Sequence, residues 1–341
     1  MTEPPKRILV VRLSSLGDIL HTLPAVAALR AALPAANIDW LVDRKWAPVL
    51  EGSSAVNRLI TIDRGSLPDM IACVRRVRAE KYDCAIDFQG LYKSAVITLF
   101  SGIGRRIGFD RAWAREGGST IFYTDHVIPE GRHVSEHNYS LVERVGAVRP
   151  PVPAYPLRVP AGGAASIRAR LAESGITDYF VVAPAGSWRA KCWPAERFGE
   201  VCRVLEQRYG WRAVIIYGPG EKEFAEISCR EAAPAKPLML STSLEELMAL
   251  LARAQCVLAA DTGPLHLAAA LGAPVVGLYG PTDPARNGPF VPDAITVCHT
   301  QPEEMSYKQH DICSPAMLRI TTEEVVAAME SRLSCGTDFS L

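Results

Sequence analysis

The sequence predicts an α/β protein of two doubly wound, mostly parallel sheets in tandem. Three observations predict it. Short apolar, strand-like runs alternate with segments of helical period along most of the chain. A break rich in proline (Pro150, Pro151, Pro153, Pro156 and Pro160, then Gly162 and Gly163) interrupts that alternation, which restarts beyond it. The length, 341 residues with 48% hydrophobic content, suffices for two domains that each bury a core.

In chain order, residues 8–13 form an apolar run. They are followed by the tight segment Ser14-Ser15-Leu16-Gly17-Asp18 and then by Leu20, Leu23, Val26, Ala27 and Leu29 at helical spacing, which reads as strand, loop and helix. Residues 38–42, 58–62 and 84–88 are the next strands, with helical segments between several of them. Beyond the break the pattern predicts strands at 179–183, 212–217, 238–240, 256–260 and 274–279. Helices are predicted at 194–209, 221–232, 243–254 and 264–271. Residues 321–333 read as a last helix opened by the capping pair Thr321 and Glu324. The expected domains are 1–160 and 161–320, with 321–341 as a terminal helix and tail. Ligands of open parallel sheets sit beyond the carboxyl ends of the strands, so the expected site is the cleft between the two domains.

Lys+Arg and Asp+Glu both number 37, a balance that argues against general nucleic-acid binding. The first 150 residues hold 20 Lys+Arg against 16 Asp+Glu, which suits an anionic partner mildly better. No apolar run approaches the roughly 18 residues of a membrane span, and the residues before the first strand lack the pattern of a secretory signal, so none is expected. Nine scattered cysteines read as reduced thiols, so a cytoplasmic protein is expected.

Five segments carry candidate chemistry. In the first loop, Gly17 and the hydroxyls of Ser14 and Ser15 let backbone N–H groups approach an anion. Asp18 would project a proton-accepting carboxylate, or it merely caps its helix. In Asp261-Thr262-Gly263-Pro264-Leu265-His266, a strand end meets a helix start; Thr262 and Gly263 can present N–H groups to phosphate, His266 adds a donor and Asp261 would face hydroxyls. The plain alternative is a cap at Asp261 with His266 packed on it. Gly186 and Ser187 can approach a phosphate that Lys191 neutralises, unless Lys191 is an ordinary surface cation. The glycine turn Tyr217–Glu223 offers Glu221 and Glu223 to ribose hydroxyls, or is simply a turn. Neither it nor the first strand carries a G-x-G-x-x-G, which disfavours a dinucleotide-dependent dehydrogenase. Lys93, Arg106, Arg111, Arg115 and Arg132 are candidate cations for a carboxylate or phosphate. Cys298, His299, His310 and Cys313 are metal ligands by type only; their spacing matches no zinc pattern, and no metal is expected.

Taken together, these segments resemble the lipopolysaccharide heptosyltransferases of glycosyltransferase family 9, over nearly the whole chain and in matching order. The heptosyltransferase I branch is the most similar. The marks are residues 8–24, Asp87-Phe88-Gln89-Gly90-Leu91-Tyr92-Lys93-Ser94, Lys191-Cys192-Trp193-Pro194, Asp261 to His266 and Tyr279-Gly280-Pro281-Thr282-Asp283-Pro284. The resemblance implies a GT-B fold with acceptor bound by the first Rossmann-like domain and nucleotide sugar by the second. It implies Asp18 as catalytic base and Lys191 as the diphosphate-binding lysine. Gly186, Ser187, Glu221, Glu223, Asp261, Thr262, Gly263 and His266 would bind donor, and Ser15, Gly17, Lys93, Arg115 and His133 would bind acceptor. Two positions depart from the pattern: Gly186-Ser187 replaces paired hydroxyl residues, and Lys222 stands where a ribose-binding Glu is expected.

The implied reaction is inverting transfer of a heptose from ADP-heptose to the Kdo region of a lipid A-anchored inner core, with no obligatory cofactor or metal. The cationic balance of the first half suits peripheral contact with the inner face of the inner membrane. A nucleotide-sugar epimerase of similar fold, a family 9 transferase with another sugar donor, and a non-catalytic nucleotide-sugar or glycolipid binder are the competing readings. Product analysis with donor alone separates epimerase from transferase.

Overall fold

The structure, a computed structural model, describes residues 3–186, 188–307 and 311–334. It divides into two compact units, Met1–Arg158 and Val159–Leu341.

The first unit runs β1 (Arg7–Val11), α1 (Leu16–Ala32), β2 (Asn37–Asp43), α2 (Ala47–Leu50), β3 (Arg58–Ile62), α3 (Leu67–Ala79), β4 (Cys84–Asp87) and α4 (Tyr92–Phe100). It continues with β5 (Arg105–Phe109), a 3-10 turn (Gly117–Phe122), β6 (Asp125–Val127) and α5 (Val134–Glu143). Its strands lie in the order β3-β2-β1-β4-β5-β6, every pairing parallel. The order therefore reverses between β1 and β4, and that switch point is where an open parallel sheet leaves a crevice at its carboxyl edge.

The second unit runs α6 (Ala161–Glu173), β7 (Tyr179–Ala183), α7 (Ala195–Tyr209), β8 (Arg212–Tyr217), α8 (Lys222–Glu231), β9 (Leu238–Ser241), α9 (Leu244–Leu251), β10 (Val257–Ala260) and α10 (Gly263–Ala270). It ends with β11 (Val275–Tyr279), α11 (Pro284–Asn287), β12 (Ile295–Cys298), α12 (Pro315–Arg319) and α13 (Thr322–Ser334). The order is β12-β11-β10-β7-β8-β9, again all parallel, with its switch point between β7 and β10.

A parallel sheet is covered on both faces, so its central strands are largely apolar. Ile8, Leu9, Val10 and Val11 of β1 are fully buried, as are Phe180, Val181 and Val182 of β7. Helix α13, which the sequence reading sets apart with the tail, places Val325, Val326, Met329 and Leu333 in the second unit's core beside Phe180, Trp193 and Phe198. Thr321 and Glu324 exchange the predicted capping bonds, Thr321 N–H to Glu324 Oε2 at 2.9 Å and Glu324 N–H to Thr321 Oγ1 at 3.2 Å.

Three strands escape the sequence pattern. β5 opens on two arginines, and the Arg106 side chain turns back to donate to the carbonyls of Phe122 and Ile103. β6 has three residues, and β12 is an incompletely buried edge strand. Among the described residues no helix is long and apolar enough to cross a membrane.

Candidate functional site

Both switch points carry motif residues, and each is built by its own unit. In the first unit the chain leaves β1 and enters α1 with Ser15 in an extended conformation at the N-cap. Asp18 sits three residues into the helix. Its Oδ2 accepts from the Ser15 N–H at 2.9 Å and the Ser15 hydroxyl at 3.0 Å, so it does complete the helix cap. Its other oxygen is committed elsewhere: Oδ1 lies 2.6 Å from Nη2 of Arg12. The Arg12 guanidinium is itself anchored through Nη1 to the carbonyl of Phe88, just beyond β4. Buried Gln89 accepts from the N–H groups of Leu13 (2.9 Å) and Ser14 (3.2 Å), clamping the loop before Asp18 onto the neighbouring strand end.

The Asp18 side chain remains 33% exposed. Burial alone would raise its pKa; Arg12 and the Ser15 bonds outweigh burial, Arg115 adds to them, and the net pKa lies below the ordinary aspartate value. The group is a carboxylate at neutral pH, fixed in direction and open to solvent on one side. Arg12→Met is expected to raise the Asp18 pKa, measured by following its carboxyl carbon resonance against pH. An unmoved titration would show that the ion pair is electrically idle.

The residues expected beside Asp18 divide. Arg115 is exposed and within electrostatic reach of Asp18. Its neighbour Glu116 accepts from the N–H of Tyr92 at 2.6 Å and donates its own N–H to Gly90 O at 2.9 Å, which fastens this segment to the loop after β4. Gly90 has φ +64°, and a Cβ there would stand 3.1 Å from the Arg115 nitrogen, so the close approach needs glycine. Lys93 is exposed in the first turn of α4, and Gly17 lies in the first turn of α1 beside exposed Ser15. His133 is buried and caps α5, its Nδ1 accepting the Ser135 N–H at 3.0 Å, and its ring meets His21 edge-on at 5.2 Å.

In the second unit the loop after β7 and the start of α10 converge at the switch point. Lys191 is almost buried. Its Nζ lies 2.5 Å from Oδ2 of Asp261 and 4.6 Å from the centroid of the Trp188 ring. Two residues on, Trp193 is fully buried, donates to Ile320 O at 3.1 Å and packs edge-to-face on Phe198 at 5.0 Å. This anchoring turns the short 189–191 stretch inward. Gly186 admits that approach, since a Cβ there would lie 3.2 Å from both Lys191 Cβ and Cys192 Sγ.

Asp261 is the hub. Besides Lys191 it accepts from Thr282 Oγ1 at 2.8 Å, and its Oδ1 lies 3.1 Å from His266 Nε2. Burial raises the Asp261 pKa on its own, but His266 and Lys191 more than reverse it, leaving the carboxyl well below the usual range. A buried carboxylate takes the nearest cation and donors, and these internal partners fix the direction of the Asp261 side chain. Thr262, the extended N-cap, and Gly263 begin α10 at partly exposed positions, and the helix dipole favours an anion there.

Glu221 caps α8, its Oε2 accepting the Gly218 N–H at 2.7 Å; it interacts electrostatically with Cys192 in the Lys191 loop. Glu223 is exposed, and Lys222 pairs with Glu226 at 2.9 Å. Ser187 and His310 lie outside the described residues. Cys298 contacts the Thr300 hydroxyl, His299 pairs with Glu324 and Cys313 donates to Cys192 O. Among the described residues no group of three His, Cys, Asp or Glu side chains is placed to hold a metal ion. Arg12, Gln89, Trp188 and Thr282 were not singled out from sequence as site residues. All four lie within or beside motif segments, but their partners become visible only when strand ends are brought together.

One unit therefore presents an oriented carboxylate near exposed cations. The other presents a buried lysine and a helix start suited to a phosphate. Comparison with known proteins gives four findings. The sequence profile of glycosyltransferase family 9 (heptosyltransferase) matches residues 70–316. The chain is 32% identical over 306 residues to lipopolysaccharide heptosyltransferase 1 of Salmonella typhimurium, covering 86% of this chain and 94% of that protein. It is 30% identical to lipopolysaccharide heptosyltransferase 1 of Pseudomonas aeruginosa, covering 96% and 98%. Among solved structures, an E. coli heptosyltransferase with ADP matches at TM-score 0.77 and 29% identity, covering 96% of this chain and 99% of that one.

Proposed function

The chain belongs to glycosyltransferase family 9, and from that premise we propose that it transfers a heptose from ADP-heptose to a hydroxyl in the Kdo region of the lipopolysaccharide inner core, inverting the anomeric centre. The observation that carries the reading is the grouping of Lys191, Asp261 and His266 with the start of α10 at the second sheet's switch point. An ADP donor is further supported by the E. coli heptosyltransferase at 29% identity, which was solved with ADP and with ADP-2-deoxy-2-fluoro heptose.

In the proposed reaction the donor diphosphate rests on the N–H groups of Thr262 and Gly263, with Lys191 neutralising its charge. Asp261 is a positioning residue, holding Lys191, His266 and Thr282 in one orientation. Gly186 and the Glu221 turn border the nucleotide. The acceptor hydroxyl attacks the anomeric carbon as the bond from that carbon to the phosphate oxygen breaks; the hydroxyl proton passes to Asp18 and ADP departs. Arg12 and Gln89 hold Asp18 in place, and Lys93 and Arg115 bind anionic groups of the acceptor. His133 supports the acceptor side indirectly, through α5. No step requires a metal, and the reaction runs in the cytoplasm on a lipid-anchored acceptor.

The test is a thermal-shift panel of ADP-, UDP- and GDP-sugars, followed by transfer to Kdo-lipid A. At about a hundredfold over its Kd, ADP-heptose is expected to raise Tm by about 5–10 °C, with UDP- and GDP-sugars giving little. A larger shift with UDP- or GDP-sugars, or turnover of donor to an epimer without acceptor, would overturn the reading.

A further inference from the structure

We propose that Trp188 is a positioning residue for Lys191, its indole face confining the lysine ammonium against Asp261 so that the charge is held ready for a diphosphate. The assignment deepens the proposed function and rests on its donor reading. Trp188 is the extended N-cap of the 3-10 turn Arg189–Lys191, which closes through the Lys191 N–H donating to the Trp188 carbonyl at 3.1 Å. Such a turn has three residues per revolution, so side chains at positions i and i+3 lie on the same side. The spacing from Trp188 to Lys191 therefore stacks ring and ammonium, and Nζ lies 4.6 Å from the ring centroid. The turn is fastened to its surroundings. Ala190 is buried and its carbonyl accepts the Ser314 N–H at 3.3 Å, the Arg189 guanidinium lies 5.1 Å from the Phe224 ring centroid on α8, and the Gly186 N–H donates to Cys192 Sγ at 3.3 Å.

Burial makes the contact matter. Lys191 is buried and Trp188 only partly exposed. A lysine head is a strongly hydrated point charge on a flexible stem with three rotatable donors. Asp261 Oδ2 at 2.5 Å, the Asp261 carbonyl at 3.4 Å and the Trp188 ring stand in for its water. The carbonyl contact sets the charge beside the peptide that joins Asp261 to Thr262, the N-cap of α10. The carboxylate of Asp261 pulls the ammonium toward itself and offsets its charge. The ring acts differently, because a quadrupole attracts a cation but carries no net charge. Trp188 thus holds the ammonium from a second side without neutralising it, and the stem surrenders rotamer freedom before the diphosphate arrives rather than on binding.

The experiment titrates ADP and inorganic pyrophosphate calorimetrically into the full chain and into Trp188→Phe, Trp188→Tyr and Trp188→Leu. The first two variants keep a ring face and are expected to bind both ligands within about threefold of wild type, whereas Trp188→Leu is expected to lose about tenfold. That loss should be the same for both ligands, because what weakens is the grip of Lys191 on the diphosphate. A ring that stacked on adenine would instead spare pyrophosphate. Tryptophan analogues carrying one, two and three ring fluorines at position 188 keep the shape and weaken the ring quadrupole, so affinity is expected to fall stepwise along the series. A merely structural side chain would leave it level. If Trp188→Leu does not fold, the fluorine series decides alone. Undiminished binding by folded Trp188→Leu, a loss confined to ADP, or a flat fluorine series would overturn the proposal. Wild-type chain that binds neither ligand would overturn it together with the donor reading. Binding of pyrophosphate without ADP would end the donor reading alone, with Trp188 still decided on pyrophosphate, so the two fail separately.

Discussion

Asp18→Asn is expected to reduce heptose transfer by about a hundred- to ten-thousandfold in kcat, the usual contribution of a positioned general base, while ADP-heptose affinity stays within about twofold, since Asp18 belongs to the other unit. Asparagine is the informative replacement. Its carbonyl oxygen can still accept from the Ser15 N–H and hydroxyl, so the helix cap survives. What disappears is the charge facing Arg12 and the capacity to take a proton. The wild-type acid limb follows from the same geometry. Because the net pKa of Asp18 is depressed, the base is ionised at neutral pH and becomes inactive only as pH falls through that lowered value. Transfer measured as product formed per unit time, with donor titrated calorimetrically, separates the two effects. Retained turnover in Asp18→Asn would remove Asp18 from the chemistry.

The second large effect is expected at Lys191. Its side chain is 10% exposed and that of Asp261 6%, so Lys191→Met leaves a buried carboxylate without its principal cation. Removing one member of a buried pair costs about 3–5 kcal/mol, mostly as the penalty on the charge left behind. Lys191→Met should therefore destabilise the second unit by roughly that amount and also weaken ADP-heptose binding. The double variant Lys191→Met with Asp261→Asn should recover much of the stability and none of the binding, which distinguishes a lysine that grips phosphate from one that serves only the fold. Denaturant unfolding and donor titration on the three variants provide both readouts. The pair also sets an acid limit. Asp261 titrates below its unfolded value, so its contribution is complete above about pH 4 and is lost as pH falls through its lower folded pKa. Equal stability of Lys191→Met and wild type would contradict the burial argument.

The central strands were legible because a sheet covered on both faces favours apolar runs in them: Ile8 to Val11 and Tyr179 to Ala183 read directly as strands. β5, β6 and β12 were not, because they lie toward sheet edges, where arginines, histidine and threonine are tolerated. Asp18, Lys191 and Asp261 were legible as residue types placed after strands. Their partners were not. Thr282 reaches Asp261 across 21 residues of chain and Gln89 reaches Leu13 across 76, because parallel strands adjacent in the sheet are far apart in sequence. The partners of Asp261 were hidden for the same reason: nothing local reveals that a lysine 70 residues earlier reaches its carboxylate. The cap that Nδ1 of His133 makes on α5 was hidden as well, since histidine is not among the usual capping residues.

The proposed reaction divides its labour, with proton removal at Asp18 and leaving-group stabilisation at Lys191 and the start of α10. Its most direct test measures ADP-heptose affinity and transfer rate on the same preparations of Asp18→Asn and of the Lys191→Met, Asp261→Asn double variant. The expected result is a split: the first binds donor and does not transfer it, and the second folds but binds donor poorly. Parallel losses of binding in both proteins, or transfer by Asp18→Asn at the wild-type rate, would contradict it.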